Sequence, residues 1–170
     1  MKSKYSLVFK ISLIILVLSA VAIAGICVFN KINPTDKKSA EKIVDRDAEH
    51  LSKIAEYFAG SGYEYIYIDK ADCKKGVMFT GAQTREVKIN DESVLDSVKI
   101  LFYVRGYNAV GKNGNTVYFE TWGLGGQHRG IAVTLNETSI PCVDFMIETE
   151  PLSKDGYHYY RTDYEESRNK

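Results

Sequence analysis

The feature that constrains this chain most is an uncharged apolar run near its start. Residues 11–29, ISLIILVLSAVAIAGICVF, lie between Lys10 and Lys31 and contain no charged side chain. An α-helix of that length is about 28 Å long, close to the roughly 30 Å of bilayer hydrocarbon. Such a helix also satisfies its own backbone hydrogen bonds. The run therefore predicts a transmembrane helix whose partner is the lipid bilayer.

Two alternative fates fit parts of the same run. Small residues at positions 20–24 offer cleavage sites for a signal peptide. However, the apolar run continues to Phe29, which exceeds the ~7–15 residues usual for the apolar region of a signal peptide. Lipidation at Cys27 is the other alternative, although Ile26 before it is larger than the residue that a bacterial lipobox requires. We expect a retained anchor, with residues 1–30 forming a cytoplasmic stub and transmembrane segment.

Basic residues on both sides of the run leave its orientation open on charge alone. Lys2, Lys4 and Lys10 favour a cytoplasmic N-terminus, whereas further basic residues follow between positions 31 and 46. Long domains are translocated largely regardless of their own charge. We therefore expect a single-pass protein of the cell membrane, with a signal-anchor and its C-terminal domain outside the cytoplasm.

The charge balance of the remaining chain disfavours one class of partner. Three of the 22 Lys and Arg residues precede the apolar run, which leaves 19 against 22 Asp and Glu. Basic side chains are not concentrated in any stretch, so we expect no nucleic acid as a partner. The possible partners that remain are a protein, a peptide and a cell-wall glycan.

Cys73 and Cys142 are the two cysteines outside the apolar run. An extracytoplasmic domain permits a disulfide between them. In the chain-entropy model, closing so long a loop stabilises a fold by about 4 kcal/mol. The alternative is two unpaired thiols, one or both buried, and two cysteines alone do not decide between these alternatives.

Two helices are predicted after a short polar linker over residues 31–38. From Ser39, apolar residues recur at spacings of three and four until Gly60. Asp91 can cap a second helix with the same spacing. Asp47 falls inside the apolar stripe of the first helix, and we interpret its turn as projecting beyond the domain toward the membrane.

The remaining chain has the pattern of strands. Strict alternation over residues 63–70 places three tyrosines on one face, and Asn113-Gly114 is a strong signal for a type I′ hairpin. Helices and strands are grouped instead of alternating, which favours the α+β class. We predict an N-terminal transmembrane helix followed by a two-layer domain of two helices packed on a mainly antiparallel sheet. This domain covers residues 39–164, and a polar tail covers residues 165–170.

Residues 120–133, ETWGLGGQHRGIAV, have the composition of a binding loop. Their glycine spacing does not match G-x-G-x-x-G, and the pattern leads into a strand, so no helix N-terminus is available for a phosphate. Two interpretations remain. In one, Trp122 is an apolar platform, and Gln127, His128 and Arg129 are hydrogen-bonding groups at a loop tip. In the other, the glycines only allow the positive φ of a wide hairpin turn.

His128 also raises the hypothesis of a hydrolase. A general base needs an orienting carboxylate and a nucleophile or water within reach, and Glu120 is the nearest acid in sequence. No G-x-S-x-G motif supplies a nucleophile. The dispersed histidines and the lack of H-E-x-x-H and C-x-x-C patterns predict no metal site, and no cofactor is expected. The sequence favours a binding or interaction module over an enzyme. The alternatives are a hydrolase that uses His128 with a glutamate and an accessory subunit of a membrane complex.

Twelve tyrosines in 170 residues are an unusual feature of the composition. Tyrosines exposed on a sheet can stack on sugars or peptide side chains, whereas half-buried tyrosines only fit a pleated face. We predict that two C-terminal tyrosines join the residues of the glycine-rich stretch. The predicted ligand-binding set is Trp122, Gln127, His128, Arg129, Tyr159 and Tyr160.

Two stretches of the C-terminal half resemble a group of bacterial proteins. QHRGIAVTLN contains a His-x-Gly-Ile element at residues 128–131, and PLSKDGYHYYRTDY pairs Pro151-Leu152 with Tyr159-Tyr160. In these elements the chain resembles small uncharacterised proteins with one N-terminal membrane segment and a short α+β extracytoplasmic domain. His158 departs from the pattern, where another aromatic residue is expected. The resemblance implies a membrane-anchored outer domain and no particular activity.

Overall fold

The structure of the chain is a computed structural model. It describes residues 35–81, 85–124, 126–135, 141 and 146–163, together with Ser12 and Ile15; of Asp163 only the backbone is described. The chain divides into two compact units, Met1–Pro34 and Thr35–Lys170. The helices and strands given below belong to the second unit.

An antiparallel sheet forms the centre of the second unit. Its strands, over the described residues, are β1 (Tyr65–Asp69), β2 (Val77–Thr80), β3 (Arg85–Lys88), β4 (Ala109–Asn113), β5 (Thr116–Leu124), β6 (Gln127–Thr134), β7 (Met146–Pro151) and β8 (Tyr157–Asp163). Their order in the sheet is β3-β2-β1-β4-β5-β6-β8-β7. All neighbouring strands pair in antiparallel orientation.

The helices of the second unit begin at acidic caps. They are α1 (Lys37–Gly60), α2 (Lys70–Lys75) and α3 (Glu92–Lys99), which continues into a π-helical turn over Ile100–Val104. Asp36 caps α1 by accepting a hydrogen bond from the Ser39 backbone N–H at 2.8 Å. Asp91 caps α3 in the same manner, because a short carboxylate satisfies backbone N–H groups that the first turn leaves unpaired.

One face of the sheet is covered by α1 and α3, and we call it the core face. Leu51, Ile54 and Phe58 of α1 are fully buried, and they belong to one apolar cluster with Ile66 and Phe119 of the sheet. Burying a side chain of this size stabilises a fold by about 1.5–3 kcal/mol. This cluster holds α1 against the sheet.

We call the opposite face of the sheet the second face. The residues that point to it can be identified because side chains alternate between the two faces along each strand. Phe119 and Ile131 belong to the core cluster, so their neighbours Tyr118 and Ala132 point to the second face. Tyr118, Ala132 and Tyr160 form a separate, smaller apolar cluster there. Both faces of the sheet therefore carry buried side chains.

The predicted transmembrane anchor needs correction. Among the residues that the structure describes, no helix is both long enough and apolar enough to cross a membrane. The described helix with sufficient length, α1 with 24 residues, buries one stripe and carries charged side chains on its other side, as amphipathic helices of folded domains do. Apart from Ser12 and Ile15, residues 11–29 lie outside the described residues.

The predictions that depended on this anchor are corrected with it. The fold class with an N-terminal transmembrane helix and two further helices is wrong. The described fold is an eight-stranded antiparallel sheet with three α-helices and a π-helical turn in the second unit. The transmembrane and signal-anchor assignments, and the single-pass location at the cell membrane, are contradicted by the same finding.

The hairpin between β4 and β5 differs from its sequence signal by one residue. Asn113 pairs with Thr116, so the two turn residues are Gly114 and Asn115 instead of Asn113 and Gly114. Gly114 has a φ of 55°, which a glycine adopts without steric cost. Gly114 thus supplies the positive φ that the turn needs, but as its first residue instead of its second.

Candidate functional site

The glycine-rich stretch forms the hairpin between β5 and β6. Leu124 pairs with Gln127 at its end, and Gly126 has a φ of 86° in the turn, while Gly125 lies outside the described residues. The pairing shifts by one residue between Glu120 and Trp122. This β-bulge determines which side chains of the stretch reach each face of the sheet.

Trp122, Arg129 and Tyr159 lie on the core face. Arg129 pairs with Trp122 across the hairpin, and its guanidinium carbon lies 5.7 Å from the centre of the indole ring. Burial raises the pKa of Tyr159, although the charge of Arg129 acts in the opposite direction. Trp122 and Tyr159 are both buried. The predicted aromatic platform therefore takes part in packing and a cation–π contact inside the fold.

His128 and Tyr160 lie on the second face. The Nδ1 atom of His128 lies 2.8 Å from Oε2 of Glu120, so the pairing with the nearest acid in sequence does occur. Tyr160 is 1% exposed and packs edge-to-face against Tyr118, with 6.5 Å between ring centroids. Gln127 is exposed at the end of the hairpin. The six predicted binding residues thus divide between two faces, and their role in ligand binding stays a prediction.

Gly123 explains how the histidine and the glutamate approach each other. It pairs with His128 across the hairpin. A Cβ atom at position 123 would lie 2.5 Å from Oε1 of Glu120 and 2.8 Å from Nδ1 of His128. A larger residue would displace one of these two side chains, so the glycine leaves room for the contact between His128 and Glu120.

The strand register places a second carboxylate in line with Glu120. Ala109 of β4 pairs with Asp69 on one side and with Glu120 on the other. In the adjacent row, Gly111 pairs with Tyr67 and Tyr118 in the same way. Acidic groups of β1 and β5 therefore lie on either side of small residues on the second face.

A small pocket lies beside this row, and we call it the β1 pocket. Its volume is about 260 Å³, and it is lined by Tyr65, Tyr67, Asp69, Asp72 and Phe79. Phe79 pairs directly with Tyr67, and the tyrosines share a face of β1. The three rings are partly exposed, whereas Asp72 is buried. Three aromatic rings and two carboxyl groups thus converge on one cavity.

The two carboxyl groups of the β1 pocket are held by the start of α2. Oδ1 of Asp69 accepts hydrogen bonds from the backbone N–H groups of Ala71 at 2.7 Å and Asp72 at 2.9 Å. In return, Oδ2 of Asp72 accepts the backbone N–H of Asp69 at 3.2 Å. This reciprocal arrangement is a capping box. The spacing D-x-x-D could have revealed this capping box from the sequence.

The surroundings of the β1 pocket are electronegative. Burial and, to a smaller extent, the charges of Glu120 and Asp69 together raise the pKa of Tyr67 to about 12. Burial also raises the pKa of Asp72, and the neighbouring Asp69 carboxylate adds to this effect, while Lys75 opposes it. Negative charge is therefore costly here in the folded chain, and a cation would relieve that cost.

Asp72→Asn is expected to increase stability at neutral pH and to flatten its pH dependence. Because the folded chain raises the pKa of Asp72, its stabilising contribution is fully present below the ordinary pKa of 3.8. That contribution is lost as the pH rises through the raised value. Asparagine keeps an acceptor for the Asp69 N–H without the charge. Urea unfolding between pH 4 and pH 7.5 measures the effect, and a steeper loss of stability in the variant would contradict it.

A further cluster, which the sequence interpretation missed, surrounds Asp47. This residue is fully buried, which corrects its assignment to a projecting helix end. Arg46 donates to both of its oxygens at 2.8 and 2.6 Å, Arg105 lies 3.1 Å away, and the Tyr107 hydroxyl donates at 3.1 Å. Every oxygen of this carboxylate has strong partners, so the cluster joins α1 to the segment before β4 and is structural.

A groove of about 640 Å³ lies between α1 and the ends of β6 and β8. Ser52 and Tyr157 hydrogen-bond across its floor at 2.9 Å. Leu135 lines its border, and the chain continues from there into residues 136–140, which lie outside the described residues. Because part of its border is not described, we base no proposal on this groove and turn to the β1 pocket.

Cys73 is fully buried, and it forms no disulfide with another residue that the structure describes. Burial raises its pKa, which lowers the fraction of reactive thiolate at neutral pH. Cys142 lies outside the described residues. The disulfide between them stays a prediction.

Comparisons with family models, with curated proteins and with solved structures find no match to this chain. The resemblance to small bacterial proteins is therefore untested. Function has to be inferred from the geometry and charge of the second face.

Proposed function

We propose that this chain is a binding module that holds a positively charged group against the second face of its sheet. The observation that carries the proposal is the set of carboxylates around Tyr67. Glu120, Asp69 and Asp72 each raise the pKa of this partly buried phenol. An uncompensated concentration of negative charge attracts a cationic ligand and steers its approach.

The position of these carboxylates supports binding. Asp69 and Glu120 lie on β1 and β5, inside the sheet, and Asp72 is held by the capping box. Groups on rigid elements lose little conformational entropy when a ligand binds. Lys75 offsets part of the charge, since it lowers the pKa of Asp72. A peptide or protein that presents an amine or a basic side chain fits this site better than a neutral glycan.

Binding is tested with three small probes that share a four-carbon chain. Butylammonium is expected to cause saturable amide shifts at residues 65–69 and 109–111, because only this probe carries a positive charge. Butyrate and butanol are expected to cause none. Heteronuclear NMR titration of the full chain makes the measurement. Equal responses to all three probes, or no saturable response to butylammonium, would refute the proposal.

Charge-neutral variants locate the site. Asp69→Asn keeps an efficient helix cap, so it removes charge without removing the capping hydrogen bonds. This change and Glu120→Gln should each weaken butylammonium binding about threefold, the size expected of a partly exposed ion pair. Asp45→Asn, on the exposed side of α1, is the matched control and should leave the affinity unchanged.

The hydrolase alternative retains one favourable observation, the 2.8 Å contact between His128 and Glu120. A carboxylate in that position can orient a general base. The mechanism also needs a nucleophile or an activated water. Cys73 does not provide it, because its thiol is buried in the core cluster. We therefore favour binding over hydrolysis.

A further inference from the structure

We propose that the β1 pocket is an aromatic cage for a methylated ammonium group. This inference rests on the binding function proposed above and names its ligand chemistry. Methylated ammonium includes the side chain of methylated lysine and the head group of choline-like compounds. The shared feature is a cationic nitrogen whose surface consists of methyl groups.

The rings of the pocket provide the first argument. Tyr65 and Tyr67 are two residues apart on β1 and therefore point to the same face, and Phe79 lies opposite Tyr67 on β2. All three rings line the cavity and remain partly exposed. An aromatic face carries partial negative charge and attracts a cation within about 6 Å of its centre. Several rings around one cavity can act on the same cation.

The size of the pocket provides the second argument. Its volume of about 260 Å³ lies below the ~300–1,000 Å³ of pockets for drug-sized ligands. It accommodates a compact head group and not a whole cofactor. The ligand therefore presents one small cationic end to the cavity, and the rest of the molecule lies outside.

Hydrogen bonding decides which kind of cation fits. Oδ1 of Asp69 already accepts two backbone N–H groups, and Oδ2 of Asp72 accepts a third. A primary ammonium has three N–H donors. On entering the pocket it exchanges its water partners for the other two carboxylate oxygens, Oδ2 of Asp69 and Oδ1 of Asp72, of which the second belongs to a buried residue. A quaternary ammonium has no N–H to satisfy, so it gains the charge attraction without giving up hydrogen bonds to water.

Tetramethylammonium, methylammonium and tert-butanol test the ligand class on the full chain. The quaternary cation is expected to bind about tenfold more tightly than methylammonium. The neutral tert-butanol, of similar shape, should not bind. The methyl proton resonance of tetramethylammonium should also move upfield on binding, because its methyl groups lie over ring faces.

Substitutions at one ring test the site. Tyr67→Phe keeps the aromatic face and should bind tetramethylammonium within about twofold of the unmodified chain, whereas Tyr67→Leu should bind it about tenfold more weakly. Tyr57→Leu, on α1 and outside the pocket, is the matched control for losing a tyrosine ring. If Tyr67→Leu fails to fold, the upfield shift in the unmodified chain decides, and its absence overturns the inference.

The outcomes separate this inference from the binding function. If butylammonium shifts the β1 amides but tetramethylammonium binds no more tightly than methylammonium, the aromatic cage is refuted and the cation-binding module stands. If neither cation binds, both proposals fail. Equal binding of tetramethylammonium to the chain and to a folded Tyr67→Leu variant would place the cation elsewhere and refute the cage.

Discussion

Asp47→Ala is expected to lower the free energy of unfolding by about 3–5 kcal/mol. The substitution removes a fully buried carboxylate and leaves Arg46, Arg105 and the Tyr107 hydroxyl without the group that they share. Several hydrogen bonds to a charged group are lost together, each worth about 1.5–3 kcal/mol, whereas the two guanidinium groups stay in contact with solvent. Equilibrium urea unfolding, followed by circular dichroism, measures the loss.

Two further variants test the explanation. Asp45→Ala lies on the exposed side of the same helix and should change the free energy of unfolding by less than about 0.5 kcal/mol. Tyr107→Phe removes only the hydroxyl that donates to Asp47 and should cost about 1.5–3 kcal/mol, as for other hydrogen bonds to charged groups. A loss for Asp47→Ala no greater than that of Asp45→Ala would contradict the structural role of the cluster.

Gly130→Ala is expected to destabilise the chain by about 3 kcal/mol or more. A Cβ atom at this position would collide with the backbone carbonyl oxygen of Phe119 and approach Cε1 of Tyr160 to 2.9 Å. A backbone carbonyl inside a sheet cannot move aside as a flexible side chain does, so the overlap strains both strands. The thermal unfolding midpoint of the variant should fall by several degrees.

Gly60→Ala provides the control for Gly130→Ala. Gly60 ends α1, and an added Cβ atom would meet no heavy atom within 4 Å. Alanine restricts the unfolded chain and favours the helix, so this change should be neutral or stabilising by up to about 1 kcal/mol. Equal destabilisation by both variants would show that loss of glycine in general, and not the contact with Phe119, is responsible.

Local patterns allowed some elements to be predicted. The apolar stripe from Ser39 to Gly60 anticipated α1, which begins at Lys37 and ends at Gly60. Helical periodicity and a terminal glycine depend only on neighbouring residues, so they can be recognised in the sequence without knowledge of the fold. The hydropathy of residues 11–29, by contrast, led to a transmembrane helix that the described structure does not contain.

Other features depend on contacts between distant parts of the chain. The hairpin turn after β4 was displaced by one residue because Tyr65 pairs with Asn113, which extends β4 through that asparagine. The burial of Asp47 depends on Arg105 and Tyr107, which lie about sixty residues further along the chain. The sequence around Asp47 does not show whether a carboxylate within the apolar stripe of a helix is buried or exposed.

The candidate site combines both kinds of information. Glu120 was named from the sequence only as the nearest acid to His128, and the hairpin brings the two side chains together. The alignment of Asp69 with Glu120 requires the order β1-β4-β5, which strand patterns do not reveal. The β1 pocket was missed for the same reason, since Phe79 joins Tyr67 only through strand pairing.

The two ends of the sheet have a consequence for how the protein behaves at high concentration. β3, at one end, has four residues, of which Arg85, Glu86 and Lys88 are charged and exposed. β7, at the other end, contains a register shift and finishes at Pro151, which has no N–H to donate. Short charged edges, bulges and prolines all oppose pairing with a strand of another molecule. The sheet is therefore protected at both ends against growth into aggregates.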